Sequence, residues 1–313
     1  MGFMRIFGFE SFGGPEVTSF LDVADLTWQQ PGSVLIRPTA ISLNPGDIKV
    51  RNGQRQGSFP VSFPMAMGRE AAGIVVEADP STGFSPGDRV FGSAFSGTGA
   101  ASDSFVLLDA ASTAAIPSGV EATDAACLPA AAGTAYDALA ELHDLETWPD
   151  EGARLLVIGA GGGVGTHALQ LARHFDIEVI GIASANKKIL VERLGARFMD
   201  TAELGKTGSH VTVPPVDGIL DLVGGEVLEG LAHLAPEGAI RSAADKQLAA
   251  RLGGSGITRV RTQERFAELA RLVAEGAMRP VIGRELPFSA AAEGYEEVES
   301  GHALGKVVLT VND

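Results

Sequence analysis

The amino-acid sequence predicts an α/β protein with a β-rich lobe and a doubly wound parallel-sheet domain. Three observations predict it. The first 120 residues or so have the character of strands and turns, helices and strands alternate beyond them, and a glycine-rich run joins a strand to a helix near residue 160. Such alternation is typical of a parallel sheet with helices on both faces. The predicted boundaries are 1–121 with 280–313 for the β-rich lobe, and 122–279 for the parallel-sheet domain.

The β-rich lobe has apolar extended segments that are separated by turn residues. These segments are Leu26–Ile36, Gly73–Glu77 and Arg89–Phe91, with a turn at Pro86-Gly87-Asp88. The alanine- and glycine-rich stretch 92–115 is predicted to be a loop. Near the end of the chain a helix at Ser289–Ser300 precedes a strand at Lys306–Val311. We expect this tail to return to the β-rich lobe.

The second domain begins with helices and continues with alternating elements. Thr123 can cap a first helix, and a second is predicted from about Ala130 to His143. The further predicted strands are Leu155–Gly159, Glu178–Ala183, Ala196–Met199, Gly218–Val223 and Gly238–Arg241, and the further predicted helices include Asn186–Leu194, Glu226–Leu234 and Gln263–Glu275.

The most informative motif is the glycine-rich turn within residues 159–165, which contains five glycines. Val164, Ala168, Leu171 and Ala172 follow at helical spacing and share one face. A dinucleotide site needs a tight turn and a close approach of backbone to pyrophosphate, which bulky side chains prevent. The best register is Ala160-x-Gly162-x-x-Gly165, with alanine in the first position. The alternative is a glycine-rich surface loop, but the strand and helix that follow favour a dinucleotide-binding βαβ unit.

Composition excludes several classes of function. The net charge of −15 argues against nucleic acid as a partner. No apolar run is long enough to span a membrane, and the N-terminal residues lack the features of a secretory signal. The single cysteine, Cys127, excludes an internal disulfide and is expected to be a small core residue. These features predict a cytoplasmic protein without a membrane partner.

Several segments, in this order, resemble the zinc-independent medium-chain dehydrogenases/reductases of the quinone oxidoreductase type. They are GFESFGGPEV (8–17), ISLNPGDIKVRNG (41–53), GREAAGIVVEAD (68–79), GDRVFG (87–92), LPAAAGTAYDAL (128–139), VIGAGGGVGTHALQLAR (157–173) and ALGKVVL (303–309). The resemblance implies a GroES-like β-rich catalytic lobe, a Rossmann domain, and NAD(P)H in the cleft between them. It also implies a homodimer through an edge strand, for which Gly256–Arg261 is the candidate.

The resemblance also bears on metal binding. Zinc-dependent members use a cysteine in the segment that corresponds to 44–47 and a histidine in a Gly-His-Glu motif. Here these segments are Asn-Pro-Gly-Asp and Gly68-Arg69-Glu70. Arginine stays protonated and does not ligate zinc. The histidines, at 143, 167, 174, 210, 233 and 302, lack the spacing of metal ligands. We therefore expect no metal.

The end of the second Rossmann strand indicates the cofactor. NAD binding normally requires an acidic residue there, which binds the ribose hydroxyls. The sequence after Ala183 is Ser184-Ala-Asn-Lys187-Lys188, without Asp or Glu. A serine and two cations suit the 2′-phosphate of NADPH. The alternative is a helix-capping serine followed by two exposed lysines.

Further cofactor contacts follow from the resemblance. It places Thr134 beside the nicotinamide, Val223 under the ring and Lys306 near the phosphates. The structural alternatives are a helix residue, a core valine and an edge-strand lysine. The predicted cofactor-binding set is Asn44, Thr134, Ala160, Gly162, Gly163, Val164, Ser184, Lys188, Val223 and Lys306.

The substrate site is less well defined. Asn44, in the matched Asn-x-x-Asp-x-x-x-Arg-x-Gly segment, is the best candidate to approach the nicotinamide or a substrate oxygen, although Asn-Pro-Gly-Asp is also a strong turn sequence. Many relatives carry tyrosines at the positions of Lys49 and Val50, and neither is present here. Lys49 is a candidate cation beside a developing enolate or a solvent-exposed residue, and Tyr136 is a weak further candidate. No residue qualifies as the general acid.

The sequence therefore predicts an NADPH-dependent reductase that transfers hydride to a small electrophile, either a quinone or an α,β-unsaturated carbonyl compound. The missing tyrosines keep a second reading open. In that reading the protein binds NADPH as a sensor or structural protein and has little turnover.

Overall fold

The computed structural model describes residues 2–26, 31–204 and 213–311, which form two compact units. The first unit comprises the described parts of 1–130, 261–275 and 282–313. The second comprises the described parts of 131–260 and 276–281. Within the described residues, no helix combines the length and the apolar character that crossing a membrane requires.

The described strands are β1 (Phe3–Phe9), β2 (Thr18–Ala24), β3 (Ser33–Leu43), β4 (Met65–Ala66), β5 (Glu70–Ala78), β6 (Arg89–Ala94), β7 (Val106–Ala115), β8 (Arg154–Ile158), β9 (Glu178–Ala183), β10 (Arg197–Asp200), β11 (Gly218–Asp221), β12 (Ile240–Ser242), β13 (Ser255–Gly256), β14 (Ile282–Pro287) and β15 (Lys306–Thr310). The described α-helices are α1 (Pro45–Arg51), α2 (Ala122–Ala126), α3 (Gly133–His143), α4 (Gly163–His174), α5 (Lys188–Arg193), α6 (Gly225–Leu231), α7 (Lys246–Arg251), α8 (Gln263–Ala274) and α9 (Ala291–Glu299). Residues 27–30 of the predicted strand Leu26–Ile36 lie outside the described residues.

The first unit is built around the long strand β3, which is buried along most of its length. β3 pairs with β5, β7 and β15, and these strands belong to a sheet of order β14-β15-β3-β5-β6-β7. A second, three-stranded sheet has the order β2-β1-β4. The pairing of β15 with β3 is antiparallel, with Val307 opposite Leu43. The C-terminal tail therefore returns to the β-rich lobe, as expected.

The prediction of a loop over 92–115 is wrong for residues 92–94 and 106–115, and holds only for residues 95–105. β6 continues to Ala94, and β7 occupies Val106–Ala115 in antiparallel pairing with β6 and β3. Alanine and glycine are weak strand formers in isolation. Here small residues are required, because a Cβ on Gly92 would lie 2.4 Å from Thr113 Oγ1 and 2.5 Å from the Ser112 carbonyl oxygen. Tertiary packing thus overrides local propensity.

The second unit has the predicted doubly wound sheet. Its six parallel strands have the order β10-β9-β8-β11-β12-β13, which is the Rossmann arrangement. Apolar residues of β8, β9 and β11, among them Leu156, Ile180 and Ile219, form the core with residues from the surrounding helices. The order of strands reverses between β8 and β11, and ligands of such sheets bind at the carboxyl ends of the strands on either side of that point.

The compact units differ from the predicted boundaries in three places. Residues 280–281 belong to the second unit, whereas the prediction assigned them to the β-rich lobe. Residues 122–130 and 261–275 belong to the first unit, whereas the prediction assigned them to the parallel-sheet domain. In α8, Phe266 is fully buried and stacks on Phe91 of β6, with ring centroids 6.0 Å apart. The Ala130 N–H donates a 2.6 Å hydrogen bond to Glu70. Burial of an aromatic ring and of a charged acceptor explains why these segments pack on the β-rich lobe.

Candidate functional site

The glycine-rich turn of the second unit connects β8 to α4. Gly159 has a φ of 90°, a conformation that favours glycine. The N–H groups of Gly159 and Ala160 both donate to the Ile182 carbonyl of β9 at 2.9 Å. Gly162 then caps α4, which begins at Gly163. The first N–H groups of this helix have no acceptor within the helix, so they are available to an anion.

The glycines of the turn have different roles. A Cβ on Gly165 would lie 2.4 Å from the Gly159 carbonyl oxygen and 2.7 Å from Ala160 backbone atoms, so only glycine permits this approach of helix to turn. A Cβ on Gly162 would meet nothing closer than 3.5 Å, which leaves the space before α4 open. Ala160 takes the first position of the fingerprint and is fully buried, with its Cβ 3.0 Å from where a Cβ on Gly181 of β9 would stand. Val164 is half-buried, while Ala168, Leu171 and Ala172 are buried.

The tip of β9 carries the residues that were predicted to select the cofactor. Ser184 is exposed, and its hydroxyl donates to Asn186 Oδ1 at 2.7 Å. Lys188 is exposed and lies 3.8 Å from Glu192. Lys187 is buried instead, and its aliphatic chain lies against the glycine turn, within 2.5 Å of where a Cβ on Gly161 would stand. Burial lowers the pKa of the Lys187 ammonium. The sequence analysis counted Lys187 as one of two cations suited to a 2′-phosphate but left it out of the cofactor-binding set, and its burial against the turn was not predicted.

The loop after β11 reaches the same turn. A Cβ on Gly159 would lie 3.1 Å from Val223 Cγ2, and the Val223 side chain is 57% exposed. Buried Asp221 shapes the loop, because one oxygen accepts the N–H groups of Val223 at 3.0 Å and Gly224 at 2.8 Å. Its other oxygen accepts the Ser242 hydroxyl at 2.5 Å. The structure therefore brings Val223 to the glycine turn and leaves it accessible, rather than placing it in the core.

Two predicted residues of α3 lie elsewhere in the second unit. Thr134 is buried near the start of the helix. Tyr136 packs edge-on against Phe175, with ring centroids 6.0 Å apart. Phe175 follows the last turn of α4, about 18 Å along the helix from its first residue at 1.5 Å per residue. The prediction that Tyr136 lines the substrate site is therefore not supported by its position, because aromatic packing holds it at the far end of α4 from the glycine turn.

The first unit contains a buried polar cluster around Asn44, Glu70 and Lys306. The Asn44 amide donates to Glu70 Oε1 at 2.7 Å and accepts from the Lys306 ammonium at 2.6 Å. Lys306 also donates to the Leu43 carbonyl at 2.9 Å and lies 3.4 Å from Glu70. Glu70 and Lys306 are 1% and 3% exposed, so the ion pair is shielded from water. Asn44 thus has both ends of its amide fixed in orientation.

Lys306 was expected near the cofactor phosphates. In the structure the Leu43 carbonyl, Asn44 and Glu70 accept from its ammonium, which matches the three donors that an ammonium has. Its contacts within the first unit are those of an orienting residue, and a contact with phosphate stays a prediction. Lys49 is partly buried on α1.

Asp47 is a buried acid beside this cluster, and the sequence analysis assigned it no role. One of its oxygens accepts the Asn44 N–H at 2.9 Å, and the other, Oδ1, has no hydrogen-bond partner among the described residues. The pKa of Asp47 is raised to about 7, chiefly by burial; the charge of Arg69 opposes the rise and the charge of Glu70 contributes to it. Asp47 therefore holds a proton more readily than an exposed aspartate does.

The donor set does not fit a catalytic zinc. Arg69 and Asn44 stand in the segments that carry the zinc ligands of zinc-dependent relatives, and neither is a ligand that zinc prefers. Across the part of the chain that the structure describes, no three His, Cys, Asp or Glu side chains are grouped to hold a metal ion. His167 lies in α4 with Nδ1 2.6 Å from the Gly163 carbonyl oxygen, and His210 falls outside the described residues.

Comparison with known proteins agrees with this architecture. Residues 30–122 match the alcohol dehydrogenase GroES-like domain family, and residues 194–309 match the zinc-binding dehydrogenase family. The chain is 28% identical to the human mitochondrial NAD(P)H oxidoreductase RTN4IP1 over 90% of this chain and 82% of that protein. The quinone oxidoreductase from Coxiella burnetii superposes with a TM-score of 0.87 at 27% identity, covering 99% of this chain and 100% of that one. A mycobacterial protein solved in complex with NADPH superposes with a TM-score of 0.78 at 28% identity, covering 98% and 99% of the two chains.

Proposed function

We propose that this chain, a quinone oxidoreductase-like member of the medium-chain dehydrogenase/reductase superfamily, reduces a quinone or an α,β-unsaturated carbonyl compound with NADPH and without a metal. Its relatives are NAD(P)H-dependent oxidoreductases, and that broader class holds for this chain. The choice of NADPH, the acceptor class and the absence of metal are the proposal.

The glycine-rich turn is the observation that carries the proposal. Gly165 allows α4 to approach the turn, Gly162 leaves the space before the helix open, and the first N–H groups of α4 point out of the helix end. These are the features that a pyrophosphate needs. The bound nucleotide would supply the hydride. The chain supplies binding, orientation and exclusion of water.

The preference for NADPH rests on charge at the tip of β9. Ser184 and Lys188 are exposed there, and Lys187 lies against the turn. Asp200 of β10 lies opposite Ala183, the last residue of β9. Its carboxylate caps the turn that follows β10, where it accepts the Ala202 N–H at 2.9 Å. Serine and lysine favour a 2′-phosphate, whereas a carboxylate at this position would repel it.

In the first unit, Asn44 is the residue that we assign to orienting the reacting groups. Glu70 and Lys306 hold opposite ends of its amide at 2.7 and 2.6 Å, so the amide plane has one orientation. A fixed amide dipole costs no reorganisation when charge develops on a nearby oxygen. Asn44→Ala should therefore lower kcat more than it raises the Kd for NADPH.

The test is oxidation of NADPH and of NADH over a panel of quinones and enones, followed by absorbance. We expect turnover with NADPH and a lower kcat/KM with NADH. Ser184→Asp should weaken NADPH binding by about 100-fold, because a carboxylate beside a phosphate is repelled, and should leave NADH binding within a few-fold. Ser300→Asp, on the exposed surface of the first unit, is the charge-matched control. Tight NADPH binding without turnover on every acceptor would instead indicate the sensor or structural role.

The remaining proposals concern metal, assembly and location. Elemental analysis should find less than about 0.1 zinc per chain, and chelators should leave activity unchanged, because Arg69 cannot supply a ligand. We propose a cytoplasmic homodimer. β13 (Ser255–Gly256) is an edge strand of the parallel sheet, so only the first residue of the predicted edge Gly256–Arg261 belongs to it. Light scattering measures the assembly, and a monomer at micromolar concentration would contradict it.

A further inference from the structure

Three arginines of the first unit gather beside the buried polar cluster. Arg55 lies in the turns after α1, Arg69 immediately precedes β5, and Arg261 immediately precedes the cap of α8. The charges of Arg261 and Arg55 both act on the guanidinium of Arg69. We call Arg55, Arg69 and Arg261 the arginine cluster.

Neutral groups contact the guanidinium groups of Arg69 and Arg261. The guanidinium of Arg69 lies over the Phe59 ring, 4.3 Å from its centroid. The Phe59 N–H donates to the Arg55 carbonyl at 2.9 Å, which ties Arg55 and the ring to one turn. Arg261 Nη1 donates to the Pro129 carbonyl at 3.4 Å. Cation–π contact and carbonyl acceptors orient a guanidinium while they leave its charge uncompensated.

The arginine cluster differs from five arginines of the molecule, although Arg5 and Arg89 likewise contact neutral groups, the Phe20 ring and the Val120 carbonyl. Arg51, Arg154, Arg241, Arg271 and Arg284 each form an ion pair with glutamate. Within the described residues no member of the arginine cluster does so, although the chain carries 39 acidic and 24 basic residues.

The two acids near Arg69 compensate the cluster only in part. Glu70 is engaged by Lys306, by Asn44 and by the Ala130 N–H. Asp47 accepts the Asn44 N–H, and its charge acts on Arg69 more strongly than that of Arg261 or Arg55 does. Like charges that are only partly compensated cost free energy, and a bound anion lowers that cost.

We propose that the arginine cluster binds an oxyanion group of the acceptor, of the carboxylate or phosphate kind, so that the preferred electrophile is an acid. This inference rests on the proposed function, whose acceptor class it narrows. Guanidinium groups suit the role because they are weakly hydrated and match the geometry of carboxylate and phosphate oxygens. Three of them from separate segments can contact one anion from different sides.

Turnover with matched acceptors tests the proposal. The pairs are 1,2-naphthoquinone-4-sulfonate with 1,2-naphthoquinone, and 4-oxo-2-pentenoate with its methyl ester. We expect kcat/KM to favour the anion of each pair by about 10-fold or more, chiefly through KM, and the preference to shrink as salt rises. Arg69→Met should remove the preference, because it should lower kcat/KM for the anion far more than for its neutral partner. Arg37→Met, on an exposed position of β3, should leave the preference unchanged.

A binding measurement separates failure of this inference from failure of the proposed function. Calorimetry with naphthalene-2-sulfonate and naphthalene-2-sulfonamide needs no turnover, and the sulfonate should bind more tightly in wild type but not in Arg69→Met or Arg261→Met. If turnover is absent with every acceptor but the sulfonate still binds more tightly, the proposed reductase function is wrong and the anion site is supported. Equal binding of both compounds, or an Arg69→Met variant whose Kd for NADPH rises while its acceptor preference persists, would overturn the inference.

Discussion

Gly162→Ala separates the role of the glycine turn in ligand binding from its role in folding. The added Cβ would stand 3.5 Å from the Gly159 carbonyl oxygen, an ordinary contact, so the fold should keep its stability. The methyl group would occupy the space before α4 and displace a pyrophosphate from the helix N–H groups. Loss of one charge-assisted hydrogen bond, at about 1.5–3 kcal/mol, raises Kd by about 10- to 150-fold.

Calorimetric titration with NADPH and thermal unfolding measure the two effects. Gly165→Ala should impair both, because its Cβ would stand 2.4 Å from the Gly159 carbonyl oxygen and force α4 away from the turn, at a cost of about 1–3 kcal/mol. Gly230→Ala in α6, where a Cβ meets nothing within 4 Å, should impair neither. A Gly162→Ala protein that binds NADPH within 2-fold of wild type would refute the reasoning.

Three further predictions concern buried groups of the first unit. Glu299→Gln should lower the free energy of unfolding by about 2–3 kcal/mol in urea titrations, because Arg51 is 1% exposed and loses its charged partner at 2.6 Å. Cys127 should not react with a disulfide reagent at pH 8 in the native protein, because burial raises the pKa of its thiol to about 12. Burial also raises the pKa of Asp47 from 3.8 to about 7, so the folded protein keeps a proton that the unfolded chain releases. The free energy of unfolding should therefore fall as the pH rises from about 4 to 7. In that window Asp47→Asn should become more stable relative to wild type by up to about 1.4 kcal/mol per pH unit.

Each of these has a control and a contrary result. Glu293 lies in α9 like Glu299, and Glu293→Gln removes its exposed ion pair with Arg284 of β14, which should cost less than 1 kcal/mol. Equal losses of stability for Glu293→Gln and Glu299→Gln would contradict the first prediction. Full thiol reaction in denaturant is the control for the second, and rapid labelling of native protein would contradict it. A stability difference between Asp47→Asn and wild type that is flat from pH 4 to 7 would contradict the third.

Features that depend on neighbouring residues could be predicted from the sequence. Strand β9 has the bounds predicted for it, and the turn and helix after β8 follow the pattern of glycines and apolar residues. These elements are decided within about 30 residues of chain, where periodicity and turn chemistry act directly. The order of the sheet follows from the same βαβ alternation.

Features that depend on residues far apart in the chain could not be predicted from the sequence. Lys306 and Glu70 are 236 residues apart, and nothing in either segment indicates that they pair. The resemblance supplied a role for Lys306 near phosphate, but not its contacts with Asn44 and the Leu43 carbonyl. Tyr136 was a weak candidate, named for its residue type and its predicted helix, and its packing on Phe175 depends on where α4 ends. Burial of Asp47, which sets its pKa, likewise exists only in the folded chain.

The central claim is that main-chain amides at the start of α4 hold the pyrophosphate of a nicotinamide nucleotide. Isothermal titration of the intact protein with NADPH and with NADH tests it most directly. We predict saturable heat at one nucleotide per chain, tighter for NADPH, and an affinity for NADPH that Gly162→Ala weakens while Gly230→Ala does not. The absence of heat with both nucleotides from folded protein would contradict the claim.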